Sequence, residues 1–135
     1  DRIDEFRKKI NEEAARDARE TIFNPKIDVD MDIPLGELSE SVIGEIESLS
    51  PFGTDNPRPV LVSRELTVKA GPRAIGKNGF KIWVTDGRIT CEAVTFGRGN
   101  IDKPKMGSVV SLAYTPSIND WQGVRSIQLE LHDIK

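Results

Sequence analysis

Nine residues divide this chain into two kinds of structure. Pro51-Phe52-Gly53-Thr54-Asp55-Asn56-Pro57-Arg58-Pro59 carries three prolines, a glycine and one aromatic. Each proline lacks a backbone donor and pushes the preceding residue out of the α region, so the segment cannot be helical. Rigid at its prolines and apolar at Phe52, it reads as a fixed elbow that docks through Phe52 and aims the chain into its second half. Helical patterning lies before it and strand patterning after it.

Upstream, Ile3, Phe6 and Ile10 recur at helical spacing, with Ala14, Ala15 and Ala18 beyond them. Glu5–Lys9, Glu12–Arg16 and Arg16–Glu20 are opposite charges one turn apart. The pattern predicts a helix over 2–20, ended by Phe23-Asn24-Pro25, with a narrow apolar stripe for a neighbour outside this sequence. The chain opens Asp1-Arg2-Ile3 without Met, inside that helix, as a fragment of a longer protein would. Residues 26–33 alternate strictly: Ile27, Val29, Met31 and Ile33 on one side, Asp28, Asp30 and Asp32 on the other. That predicts a half-buried strand. A second helix comes next over 38–49, capped by Ser39 or Ser41, with Leu38, Val42, Ile43, Ile46 and Leu49 as its buried stripe.

Downstream, strands are predicted over 59–69, 80–85, 89–96, 109–115 and 126–134. Between them lie a loop at 70–78, a tight Asp86-Gly87 turn, a Gly/Lys/Pro-rich connection over 97–107 and a turn at Asn119-Asp120. The fold class is therefore mainly β: an OB-fold-like, five-stranded Greek-key barrel preceded by a helix, a short strand and a second helix. An SH3-like or other small open barrel would give nearly the same pattern. The expected organisation is a connecting helix (1–25), a strand–helix–elbow segment (26–57) and the barrel (58–135).

Charge divides the same way. Residues 1–57 hold 7 Lys/Arg against 15 Asp/Glu, a balance of −8; residues 58–135 hold 12 against 7, a balance of +5. A basic barrel with an acidic attachment suits a polyanion partner, or two halves that attract one another. No apolar run is long enough to span a membrane, so no membrane partner is expected. The single cysteine, Cys91, forbids an internal disulfide and fits a reducing, cytoplasmic compartment.

Catalytic motifs fail on inspection. Asp28, Asp30 and Asp32 lack the Gly and Glu an EF-hand needs: Ile33 and Ser39 stand there. Gly71-Pro72-Arg73-Ala74-Ile75-Gly76-Lys77-Asn78 nearly spells a phosphate-binding loop, but Asn78 replaces the Mg²⁺-holding hydroxyl and a strand follows instead of a helix. The only histidine, His132, reads as an edge or surface residue, and Cys91 as a core residue. No metal or cofactor is expected in this segment.

Binding residues are better supplied. Phe80, Ile82 and Val84 share one parity and Lys81, Trp83 and Thr85 the other. The apolar set must face the core, which turns Trp83 outward beside Lys81. Bases stack on indole and an ammonium meets phosphate, the needs of a single-strand binder. The alternative is packing of Trp83 beneath helix 38–49 or the N-terminal segment. Arg73, Lys77, Arg88, Arg98, Lys103, Lys105 and Arg125 occupy loop positions that can extend a groove. Trp121 is expected to lock its own turn against the barrel.

The chain resembles the C-terminal part of RecJ-type 5′-to-3′ exonucleases of the DHH phosphoesterase superfamily. The resemblance covers residues 35–135 and rests on Leu49-Ser50-Pro51-Phe52-Gly53 with Asn56-Pro57-Arg58-Pro59-Val60, then Gly76-Lys77 before Phe80-Lys81-Ile82. It continues through Ala93-Val94-Thr95-Phe96-Gly97, Asn119-Asp120-Trp121-Gln122-Gly123, Ile127-Gln128-Leu129 and Asp133-Ile134. It implies a single-stranded DNA-binding module of a DNA-repair or recombination nuclease whose Mn²⁺- or Mg²⁺-dependent catalytic domains are absent from this sequence. Residues 1–20 resemble the helix that leads into that module. Trp83 and Phe80 would stack bases, and Arg73, Lys77, Lys81, Arg88, Arg98 and Arg125 would meet phosphates. The competing expectation is a bracing or protein-docking module, its partner a single-strand-binding protein or another repair protein. The family often places a polar residue or His before the second strand, where Asn78-Gly79 stand here.

Overall fold

The computed structural model describes residues 2–17, 26–97 and 101–135. Helix α1 spans Arg2–Asp17, and its Ile3, Phe6 and Ile10 are exposed. The predicted helix end at 18–25 lies outside the described residues. Next come β1 (Met31–Asp32), a 3₁₀ turn (Leu35–Glu37) and α2 (Glu40–Glu47). The remaining strands are β2 (Leu61–Ile75), β3 (Gly79–Thr85), β4 (Thr90–Thr95), β5 (Val109–Trp121) and β6 (Val124–Ile134).

The sheet runs β1-β2-β3-β4-β6-β5 and closes on itself where β2 also pairs with β5. Neighbours in the barrel are antiparallel except β4 and β6, which are parallel. This is the expected five-stranded OB-like barrel, with β1 added in parallel to the outer edge of β2. Closure leaves no long free edge around the core. Leu66, Ile82, Val84, Ala93, Leu112, Tyr114 and Leu129 fill the interior, all fully buried. Burying each large aliphatic side chain is worth about 1.5–3 kcal/mol.

The segment before the elbow is part of this core. Ile33, Leu35 and Leu38 belong to the same buried cluster. The Ser63 hydroxyl donates to the Ile33 carbonyl (2.6 Å) and lies 2.7 Å from the Tyr114 hydroxyl, so a buried chain of hydrogen bonds joins the end of β1 to β2 and β5. Ser39 is the α2 cap, its hydroxyl accepting from the Val42 amide.

Several expectations need correcting. The strand over 26–33 shrinks to two residues, and of its apolar face only Ile33 is buried; Ile27, Val29 and Met31 are exposed. An edge strand with partners on one side has nothing to cover its outer residues. Leu49 is likewise exposed, past the end of α2. The loop over 70–78 is mostly strand, because β2 runs on to Ile75 through register shifts on both sides of Ala70. Gly71 sits in that bulge with φ of +95°, where a Cβ would lie 2.7 Å from the Lys81 carbonyl oxygen. The last turn falls at Gln122-Gly123, both at positive φ, three residues later than expected. Strand β5 tolerates Pro116 because β2 has left it at Tyr114, so no ladder hydrogen bond is demanded on that side.

The elbow is rigid, but by internal locks. The Asn56 amide donates to the carbonyls of Leu49 (2.9 Å) and Pro51 (3.0 Å). Arg58 stacks over half-buried Phe52 at 4.7 Å and forms an ion pair with Glu47. Phe52 docks on Arg58 and is not among the core side chains.

Candidate nucleic-acid interface

Strand alternation builds the candidate site. Ile82 and Val84 are fully buried, so Lys81 and Trp83 between and beside them point outward. Trp83 is half-buried, with the Arg73 guanidinium and the Lys81 ammonium each 5.0 Å from its ring centre. Arg73 reaches it from the end of β2, where it pairs with Lys81 in the ladder. Both cations are within cation–π range.

Beside the indole, on the same outward side of β3 and β4, lies a polar network that sequence patterning does not reveal. Lys81 Nζ is 3.1 Å from Glu92 Oε2, and Gln128 Nε2 donates to Glu92 Oε1 at 2.8 Å. Glu92 therefore holds Lys81 against the sheet and neutralises part of its charge. Its outward parity on β4, between buried Cys91 and Ala93, was readable in the sequence; its pairing with a residue on β3 was not.

The register extends this face across the barrel. Trp83 stands opposite Glu92, Glu92 beside Gln128, and Gln128 opposite Ser117, forming one row over β3, β4, β6 and β5. Lys77 is exposed in the turn between β2 and β3, at the opposite end of β3 from Trp83. Gly79 opens β3 there because a Cβ would lie 2.4 Å from the Thr95 carbonyl oxygen, so glycine at this position is a packing requirement.

The other expected residues separate. Phe80 is 2% exposed in the core, so it offers no ring face to a base; the alternation that turns Trp83 out turns Phe80 in. Arg88 lies on the β3–β4 turn at the far end of β3 from Lys77. That turn is fastened by Asp86, whose carboxylate accepts from the amides of Arg88, Ile89 and Gly36. These bonds, with the Arg88 amide foremost, hold the Asp86 carboxyl below its usual range. Arg125 pairs with Glu40 of α2 at 2.9 Å. It borders a cleft of about 590 Å³ whose two arginines, Arg58 and Arg125, are both matched to glutamates of the cleft itself. Arg98 lies outside the described residues. Lys103 sits 6.0 Å over the Phe80 ring.

Trp121 overturns its expectation: it is 70% exposed at the tip of the β5–β6 hairpin and locks nothing. Its partner across the hairpin, Val124, is 68% exposed.

Nothing in the described residues assembles a nucleophile. Cys91 is buried, and desolvation foremost pushes its thiol up to about 11, which keeps it protonated at neutral pH. His132 is exposed and bonds Thr115 at 2.8 Å. Among the described residues no three His, Cys, Asp or Glu side chains converge on a cation position, and no helix is long and apolar enough to cross a membrane.

A family model described as the RecJ OB domain matches residues 29–133. The single-stranded-DNA-specific exonuclease RecJ of Bacillus subtilis (strain 168) is 28% identical over 133 residues, covering 97% of this chain and 17% of that protein. The crystal structure of RecJ from Thermus thermophilus in complex with Mn²⁺ superposes with a TM-score of 0.66 at 19% identity, over 90% of this chain and 17% of that one. Its counterpart in complex with Mg²⁺ gives 0.66 and 19% over 97% of this chain and 20% of that one. At that identity the likeness is one of fold. The chain spans no more than 20% of the length of these relatives.

Proposed function

Because this chain belongs to the RecJ OB-domain family, we propose that it is the single-strand-binding module of a RecJ-like DNA-repair or recombination exonuclease, positioning single-stranded DNA for catalytic domains elsewhere in the parent protein. The observation that carries this reading is the outward-facing Trp83 with Arg73 and Lys81 over its ring. A base stacks on an indole–guanidinium surface without regard to its identity, and cations at its rim meet the flanking phosphates. Arg73 and Lys81 supply those cations at the ring; Lys77 and Arg88, on the turns at the two ends of β3, and Arg125, paired with Glu40, contribute to the general field. Metal-dependent hydrolysis belongs, in this reading, to the other domains. Among the described residues no cluster of side chains fits such an ion.

A titration with a short single-stranded oligonucleotide, followed by tryptophan emission, tests the proposal. Quenching that weakens with salt, is absent with duplex, and falls about 5- to 100-fold in affinity in Trp83→Ala is the expected result. No quenching at low salt would sink it. A docking or bracing module for a single-strand-binding protein or another repair partner is the second reading. The pairing of Lys81 and Arg125 with carboxylates favours it, since matched cations attract DNA weakly. Binding of an acidic peptide without binding of the oligonucleotide would select it.

A further inference from the structure

Two ion pairs fasten α2 to the rest of the molecule and leave a gap between them. Glu40, Ile43, Gly44 and Glu47 recur at helical spacing and form one face of α2. At one end of that face Glu40 pairs with Arg125 of β6; at the other, Glu47 pairs with Arg58 of the elbow. Between them lies the cleft of about 590 Å³, lined on its far side by Thr115, Ser117 and Ile118 of β5 and by Glu130 of β6.

Gly44 is the unexplained residue of this face. A glycine inside a helix weakens it relative to alanine. Here it is exposed, its φ is not positive, and a Cβ added to it would meet nothing within 4 Å. No contact among the described residues requires it. What a glycine supplies at such a position is room for another chain to approach the backbone closely. The charges of the cleft select that chain. Three glutamates line it against two arginines, both arginines are engaged by Glu40 and Glu47, and Glu130 forms no ion pair among the described residues. The surplus negative charge repels a phosphate backbone and attracts a cation. Beyond Tyr114, β5 pairs with β6 alone, so its other edge offers unpaired main-chain groups beside the cleft.

We infer that this cleft docks an extended segment of a second protein, whose arginine or lysine side chain lies over Gly44 and Ile118 and reaches Glu130. The aliphatic stem of that side chain fills the gap that Gly44 leaves, and its charged head meets the Glu130 carboxylate. The inference stands apart from the single-strand-binding reading, because the cleft and the Trp83 cluster share no residue.

The test uses the 135-residue chain and a fluorescently labelled Thr-Val-Arg-Val-Thr peptide, with Thr-Val-Glu-Val-Thr as its control, followed by anisotropy. The arginine peptide is expected to bind at low salt and more weakly as salt rises; the glutamate peptide is expected not to bind. Glu130→Gln should weaken binding about 10-fold. Gly44→Leu should fill the gap and abolish binding while keeping or raising the unfolding midpoint, since leucine is the better helix former. Its affinity for a single-stranded oligonucleotide should match that of the wild type. Failure of the arginine peptide to bind, or binding that survives Gly44→Leu, would overturn the inference. A lowered midpoint in Gly44→Leu would also overturn it, by showing that the glycine serves the fold itself. Equal binding of the glutamate peptide would remove the charge argument and with it the choice of partner. Binding to this chain that is lost in a longer parent protein would give the cleft to the parent's own chain and overturn the choice of a second protein.

Discussion

Trp83 and Trp121 both point outward from one barrel, yet their surroundings differ in almost every respect. Trp83 sits in the middle of a three-strand surface, half-buried, with Arg73 and Lys81 over its ring and the Glu92–Gln128 network beside it. Trp121 stands on a two-strand arm beyond the last β2–β5 pairing and is mostly in water. The first site is preorganised and charged. The second is open and nearly neutral.

The comparison breaks most completely at the root of the arm. Tyr114 is where β5 parts from β2, and its hydroxyl joins the Ser63–Ile33 chain. Tyr114→Ala removes a fully buried aromatic and is expected to cost about 3–5 kcal/mol, read by denaturant unfolding. Tyr114→Phe should cost about 1–2 kcal/mol, because it removes one buried hydrogen bond.

The two tryptophans should next separate by stability. Trp83→Ala gives up two cation–π contacts and part of its packing, an expected loss of about 1–2 kcal/mol. Trp121→Ala should stay within about 0.5 kcal/mol of wild type. Equal effects in thermal unfolding would contradict the contrast drawn between the two sites.

Glu92→Gln sharpens the electrostatic half of the comparison. It releases Lys81, so single-strand affinity should rise a few-fold and the salt slope should steepen by up to about 0.7. A flat response would mean Lys81 does not meet phosphate.

The smallest effect is expected at Asp86, remote from both indoles. Its folded pKa is lowered, so its contribution to stability is present above the unfolded carboxyl value and is lost as pH falls through the folded one. Asp86→Asn should flatten the acid side of the stability profile and leave oligonucleotide affinity near neutral pH unchanged.

Much of this was readable in the residues. Phe80, Ile82 and Val84 against Lys81 and Trp83 set the faces of β3, because burial on one side leaves a period-two signature. The same rule over-read residues 26–33, where alternation is present but only two residues find a partner strand. Gly71-Pro72 looked like the end of a strand and is a bulge within one, since only the neighbouring β3 shows that pairing resumes at Arg73. The placement of Trp121 failed for a related reason. Asn119-Asp120 is a good turn pair, but Gln122-Gly123 takes the positive-φ positions, and three residues of register decide whether the indole folds back or stands at the tip. The ion pairs that divide the cations depend on geometry beyond the local pattern: Lys81 with Glu92 on the β3–β4 register, and Arg125 with Glu40 on the approach of α2 to β6.

The most direct test is a two-dimensional ¹H–¹⁵N spectrum of the chain during titration with a single-stranded oligonucleotide. The chain has two tryptophans and hence two indole N–H signals, assigned with Trp83→Phe and Trp121→Phe. The Trp83 signal should shift along a saturation curve, with duplex leaving it unmoved, and the Trp121 signal reports whether the β5–β6 hairpin takes part. Movement of the Trp83 signal alone would confine binding to the barrel face, and an unmoved pair at low salt would contradict a single-strand-binding role for this surface.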